Sequence, residues 1–297
     1  MSLVIAETLD AALAQIAAGA KPIAGGTDLV VASRHGTAPL PTSLVAIDRL
    51  AELRGLTRGD DGARIGAVVT HAQLMTDTMV ISDYTALADA AALVGSPSTR
   101  NVGTIGGNVM NASPAMDTGA PLLVLDATAE LRSSSSSRVV TLSDLWIGPG
   151  TASASADELC VALHLPPRKQ LSGSAYVRLE YRRAMEIAVV GAAASITLDA
   201  DGMVTDGRVA LTAVAPTIIE VENLDLASTT PAVAADRAAT AARSAARPIS
   251  DLRASDTYRS HVIGVMVARA VDAAARRAAG ETIAVPVNRA TGIGAAR

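Results

Sequence analysis

The chain has no phenylalanine, one tryptophan (Trp146) and one cysteine (Cys160) among its 297 residues. Without Phe, the core must be assembled from Ala, Val, Leu, Ile and Met. A single cysteine excludes a disulfide within the chain and leaves too few ligands for a Cys-bound zinc ion or an iron–sulfur cluster. There is no basic excess either. The net charge is -4 and the sequence pI about 5.6, which argues against a broad nucleic-acid surface. No segment approaches the roughly 20 uninterrupted apolar residues of a membrane-spanning helix. The first twenty residues are apolar-rich, but Glu7, Asp10 and Gln15 interrupt them and no cationic segment precedes them, unlike a secretory signal. The expectation is a soluble cytoplasmic protein. The four histidines, His35, His71, His164 and His261, fall in no metal-ligand or Ser/His/Asp spacing. No catalytic side chain and no metal ligand is therefore assigned.

What is present is a folded chain: hydrophobic residues make up 49% and charged residues 18%, which excludes disorder. Its length allows two or three packed units. Residues 8–19 have helical spacing (Leu9, Leu13, Ile16), with Thr8 as the cap and Gly19 as the stop. A short strand over 21–24 runs into Gly25-Gly26-Thr27-Asp28, and a helix opens at Leu29. Strands follow at 44–48 and 63–69. Thr70 caps a short helix, and a second helix covers 83–94. Gly95 to Pro114 reads as a long irregular passage. The serine run 133–137 reads as a hairpin tip between 121–132 and a strand at 138–141, and another strand covers 158–165. Pro166 to Gln170 reads as a linker. Strands at 175–180 and 189–198, a turn at Asp201-Gly202 and a strand over 203–214 precede two Ala-rich helices, 231–247 and 256–279. The predicted class is α+β with an α/β N-terminal part: units at 1–56, 57–168 and 172–280, and a tail at 281–297.

Two glycine turns carry the chemical signal. The first is Ile23-Ala24-Gly25-Gly26-Thr27-Asp28-Leu29; the second is Thr104-Ile105-Gly106-Gly107-Asn108 with Gly103 before it. Glycine lets main-chain N–H groups converge on a ligand without interference from a Cβ. Neither turn has the GxGxxG or GxxxxGK[ST] spacing, so a nucleotide would need another scaffold. An unstructured passage as long as 95–114 is uncommon in a compact domain unless it is functional.

The turns sit in a wider pattern. Ile65-Gly66-Ala67-Val68-Val69-Thr70-His71-Ala72-Gln73-Leu74 lies between them. Arg100-Asn101-Val102 leads into the second, and Ala112-Ser113-Pro114 and Asp117 follow it. Arg182-Arg183 to Ala188-Val189, Leu252-Arg253-Ala254-Ser255 and Tyr258-Arg259 come later. Over about residues 3–280 this text resembles the FAD-binding medium subunit of the xanthine dehydrogenase / carbon monoxide dehydrogenase family of molybdenum hydroxylases.

The resemblance implies the FAD-binding fold of the vanillyl-alcohol-oxidase/PCMH type, with two subdomains clamping FAD and a C-terminal domain of the CO dehydrogenase flavoprotein type. It implies that Ile23, Ala24, Gly25, Gly26, Thr27, Asp28 and Leu29 hold one side of the FAD diphosphate. Thr104, Ile105, Gly106, Gly107 and Asn108 would hold the other, with the Thr104 hydroxyl and Asn108 amide as donors. Asp117 would accept from a ribityl or ribose hydroxyl; a helix cap is the alternative there. Val94 falls at the adenine end, and Ile187 against the flavin ring; plain core packing is the alternative for both. Arg178 falls where many members carry a lysine near the isoalloxazine, and would steady negative charge on the reduced ring. The Trp146 to Thr151 segment departs from the family's flavin loop, so no ligand is carried over there.

The function implied is an electron-transfer oxidoreductase subunit. It would work with a small [2Fe-2S] subunit and a large molybdopterin subunit, in a dimer of heterotrimers, passing electrons to an external acceptor. The alternatives are a stand-alone flavin-dependent oxidoreductase and a scaffold subunit that has lost FAD.

Overall fold

The computed structural model describes residues 1–292. The chain opens with β1 (Ser2–Ile5), α1 (Leu9–Ala17), β2 (Lys21–Ile23), α2 (Thr27–Arg34) and β3 (Ser43–Ala46). Thr8 caps α1 by accepting from the Ala11 amide. The strands form a parallel sheet in the order β1-β3-β2, as α/β crossovers require. Leu9, Leu13 and Ile16 of α1 pack on Val45 and Ile47.

A second unit follows: β4 (Leu56–Gly59), β5 (Gly62–Gly66), α3 (His71–Leu74), α4 (Thr78–Asp83), α5 (Thr85–Leu93), α6 (Pro97–Val102), α7 (Ile105–Asn111), α8 (Gly119–Val124), β6 (Thr128–Arg132), β7 (Ser137–Thr141), α9 (Leu142–Leu145), β8 (Trp146–Gly148), β9 (Thr151–Ala152) and β10 (Leu159–Leu165). Its sheet is antiparallel in the order β4-β5-β10-β6-β7. Gly95 to Pro114 is not the irregular passage expected. It folds into α6 and α7, because Ser96 and Thr104 each cap a helix by accepting from a main-chain N–H three residues on. The strand expected over 63–69 stops at Gly66, where the Gly66 amide turns to the Gly55 carbonyl. Thr70 and Gln73 then form a reciprocal capping box for α3.

The third unit has β11 (Ser172–Leu179), β12 (Val190–Leu198), β13 (Val204–Thr212), β14 (Ile219–Glu220), α10 (Pro231–Ala245), α11 (Asp256–Ala278) and α12 (Val287–Ala290). The antiparallel sheet, in sequence order, packs one face on α10 and α11. Alanines let α11 approach so closely that a Cβ on Gly173 would strike its main chain. The other face meets the middle unit through Tyr176, Ala193 and Ala210. Asp89 of α5 joins the units: buried, it accepts from Arg277, from the Val287 amide and from the Tyr176 amide. Within residues 281–290, expected as a tail, the start of α12 is anchored on the third unit while Glu281, Thr282, Ala284, Arg289 and Ala290 stay exposed. Val287 and Asn288 are fully buried, and the Asn288 side chain bonds both main-chain groups of Arg178. Residues 293–297 of that tail lie outside the described residues.

Candidate functional site

The two glycine turns meet. β2 ends at Ile23, and Gly26 takes the left-handed conformation (φ +67°) that lets α2 start at Thr27. Gly25 packs main chain to main chain on the end of α6: a Cβ there would lie inside the Val102 carbonyl. A Cβ on Gly103 would stand 3.7 Å from the Thr27 hydroxyl oxygen and 3.4 Å from the His71 ring. Gly106 is pressed on Ala67 and donates to its carbonyl at 2.9 Å. Segments from two units thus form one continuous surface.

The turns use their amides differently. Among the described residues, the N–H groups of Gly25, Gly26, Thr27, Asp28 and Leu29 meet no acceptor. The second turn has spent its own: Ile105 donates to Val69, Gly106 to Ala67, Gly107 to the Thr104 hydroxyl and Asn108 to the Thr104 carbonyl. The two turns therefore differ: one is an amide cradle, and the other is a wall whose own main-chain amides are already bonded. That wall offers an exposed Gly107, beside which a Cβ would meet only the Thr104 oxygen at 3.0 Å. It also offers the remaining proton of the Thr104 hydroxyl. Asn108 accepts from Thr118 through Oδ1 at 2.6 Å, leaving Nδ2 to donate. Five acceptor-free amides opposite two side-chain donors fit a bound anion such as a diphosphate. His71 is buried beneath this junction, and its Nδ1 has no partner. Burial, with the nearby Arg100 charge, pushes its pKa down to about 4.

Asp117 caps no helix; α8 begins after Thr118, which makes no side-chain cap bond. The Asp117 carboxylate accepts from the Tyr176 hydroxyl at 2.8 Å and from Arg178 at 2.6 Å. Arg178 is fully buried and also donates through Nε and Nη2 to Glu180, at 3.0 and 2.8 Å, and to the Glu186 carbonyl at 3.2 Å. Burial opposes its charge, but Asp117, Tyr176 and Glu180 outweigh that and hold its pKa above the ordinary arginine value. One guanidinium is thus held between two carboxylates. Sequence reading missed Tyr176 and Glu180, although a signal existed: Tyr176, Arg178 and Glu180 alternate along β11 and the residue after it, so they share a face.

The segment 181–187 lies beside this network. The Met185 amide donates to the Gly95 carbonyl at 3.0 Å, and Arg289 of α12 donates to the Arg183 carbonyl at 2.7 Å. Ile187 is 45% exposed rather than core-packed. Val94, half-buried at the end of α5, gives its carbonyl to Arg100 at 2.8 Å. The resemblance assigns Val94 and Ile187 to opposite ends of an extended cofactor. The structure instead joins Gly95, the neighbour of Val94, to the 181–187 segment that carries Ile187. A cavity of about 320 Å³ near Tyr84, Arg168 and Arg208 includes neither turn.

Two family models match the chain. The family described as the FAD binding domain in molybdopterin dehydrogenase matches residues 1–168, and the CO dehydrogenase flavoprotein C-terminal domain matches residues 175–274. The xanthine dehydrogenase FAD-binding subunit of Escherichia coli O157:H7 is 34% identical over 267 residues, 88% of this chain and 91% of that one. The carbon monoxide dehydrogenase medium chain of Hydrogenophaga pseudoflava is 33% identical over 274 residues, 91% and 94% of the two chains. A solved structure of carbon monoxide dehydrogenase from that organism superposes with a TM-score of 0.88 at 29% identity, covering 93% of this chain and 98% of that one. No described helix is long and apolar enough to cross a membrane.

Proposed function

This chain belongs to the family of FAD-binding domains in molybdopterin dehydrogenases, and we propose that it is the FAD-carrying electron-transfer subunit of a molybdenum hydroxylase complex. The single observation that carries the reading is the run of acceptor-free amides from Gly25 to Leu29, set against the end of α6. FAD, when bound, supplies a carrier that takes electrons from one protein centre and releases them to another acceptor.

The chain's own residues bind and orient. The 25–29 amides receive the diphosphate, with Ile23 and Ala24 leading the strand into that turn. Across from them the exposed face of Gly107 admits close approach, with the Thr104 hydroxyl and Asn108 Nδ2 as donors. Ile105 and Gly106 serve from behind, fixing this wall on Val69 and Ala67. Asp117 keeps lone pairs beyond those given to Tyr176 and Arg178, so it can accept from a sugar hydroxyl. Arg178 acts by holding Asp117 in place. The link from Gly95 to Met185 supports Val94 and Ile187 together at the isoalloxazine end, and Val94 is moved there from the adenine end. Units 1–56 and 57–168 would hold the cofactor between them, and 172–280 would supply the flavin-side segment.

Relatives named as medium chains and FAD subunits support a multi-subunit assembly. We assign the remaining redox centres to partners, a small [2Fe-2S] subunit and a large molybdopterin subunit, because one cysteine cannot ligate such clusters. The test is to purify the chain with its co-expressed neighbours and identify what is bound. Flavin absorbance that survives gel filtration and is released as FAD is expected. A correctly assembled complex without flavin overturns the reading.

A further inference from the structure

Arg178, expected to steady negative charge on the reduced flavin, is poorly placed to do so. Its charge is already met by Asp117 and Glu180, both buried with it. Two other guanidiniums here hold main-chain carbonyls and have no carboxylate partner, whereas Arg183 of the 181–187 segment, also without one among the described residues, is exposed and holds none. Arg100, half-buried on α6, donates to the Val94 carbonyl, and Arg289 on α12 donates to the Arg183 carbonyl. Neither has a carboxylate within ion-pair distance among the described residues. The remaining charge on the 181–187 segment is partly internal, since Glu186 pairs with Arg182 at 3.5 Å.

The two arginines converge on one place. Val94 and Gly95 are consecutive, and Gly95 is bonded to Met185 of the segment whose Arg183 carbonyl Arg289 holds. Partial burial, then the charges of Arg289 and Arg178, push the pKa of Arg100 below the ordinary arginine value. Like charges this close oppose one another. An anion shared between them would relieve this opposition, and a ring that gains negative charge on reduction provides one.

We infer that Arg100 and Arg289 supply the net positive charge that favours the reduced flavin, while Arg178 positions Asp117. This rests on the flavin reading above. The test is a spectroscopic redox titration of the flavin in the complex of the full chain with its co-expressed partners. Arg100→Gln and Arg289→Gln are each expected to lower the midpoint potential, shifting the oxidised-to-reduced ratio at fixed poise about tenfold, close to 30 mV for a two-electron couple. Arg100→Lys, which keeps the charge, is expected to shift it far less. Arg237→Gln removes an exposed arginine paired with Asp225 on the far helix α10 and leaves the potential unchanged. Arg289 is exposed and makes one side-chain bond, so its variant reports even where Arg100→Gln loses flavin. Unchanged potentials in both Gln variants, or an Arg100→Lys shift as large as that of Arg100→Gln, overturn the inference and leave the flavin reading standing. Absence of flavin from the wild-type complex defeats that reading itself.

Discussion

Gly25 and Val102 touch through their main chains, and no side chain fits between them. The contact brings the cradle of one unit against the helix that leads into the second turn. It therefore separates two kinds of glycine in the site, those that allow the units to meet and those that leave room for a ligand.

Gly25→Ala is expected to damage the fold and the site together. The added methyl meets the Val102 carbonyl, a main-chain group that cannot rotate away, and overpacking of this kind costs about 1–3 kcal/mol. Gly107→Val is expected to do the opposite. Its Cβ meets only the Thr104 hydroxyl oxygen, and valine in a helix is no worse than glycine, so the urea midpoint stays close to wild type while flavin content falls at least roughly tenfold. Paired measurements of denaturation and flavin stoichiometry check this. Full FAD occupancy in Gly107→Val would falsify the wall assigned to the second turn.

The Asp117 carboxylate holds Arg178 and Tyr176 as well as serving as the proposed acceptor for a sugar hydroxyl. Asp117→Ala should therefore lose more than a ligand contact. It leaves Arg178 with one carboxylate fewer and Tyr176 without its acceptor, and breaking a buried pair costs about 3–5 kcal/mol. Asp117→Asn keeps the shape and should cost less. Urea denaturation of the flavin-free chain isolates the structural part; an unchanged midpoint in Asp117→Ala would show that the network contributes nothing to the fold.

His71 makes stability depend on pH. Its folded pKa is about 4, whereas an unfolded imidazole titrates near 6.5. Between these values the unfolded chain binds the proton and the folded chain does not. Acidification from pH 6.5 to 4 thus favours unfolding, by about 3 kcal/mol from this group, and the effect is flat outside that window. His71→Leu should show a shallower loss of stability over the same range. Parallel slopes for the two proteins would remove His71 as the cause.

Cys160 is buried, and burial followed by the Glu130 charge pushes its thiol pKa up to about 12. The native chain should leave a disulfide reagent such as DTNB unreacted at pH 8, and the urea-unfolded chain should release one equivalent of chromophore. Rapid native labelling would contradict the packing of β10.

The sequence determined the parts that depend on neighbours along the chain. Thr8, Thr70 and Thr104 are caps because a hydroxyl can reach an amide three residues on, and Gly202 (φ +80°) turns the β12–β13 hairpin. The two glycine turns were visible for the same reason. Alternation along β11 even carried the side-by-side placement of Tyr176, Arg178 and Glu180. What the tertiary structure alone decided is which groups remain unsatisfied once the units pack. The amides of Ile105 and Gly106 are consumed by Val69 and Ala67, those of Gly25 to Leu29 are not, and Arg178 is paired with two carboxylates while Arg100 and Arg289 have none within ion-pair distance among the described residues. Availability for binding is what remains after distant segments have taken their hydrogen bonds and ion pairs, and those partners are set by packing rather than by local order in the chain.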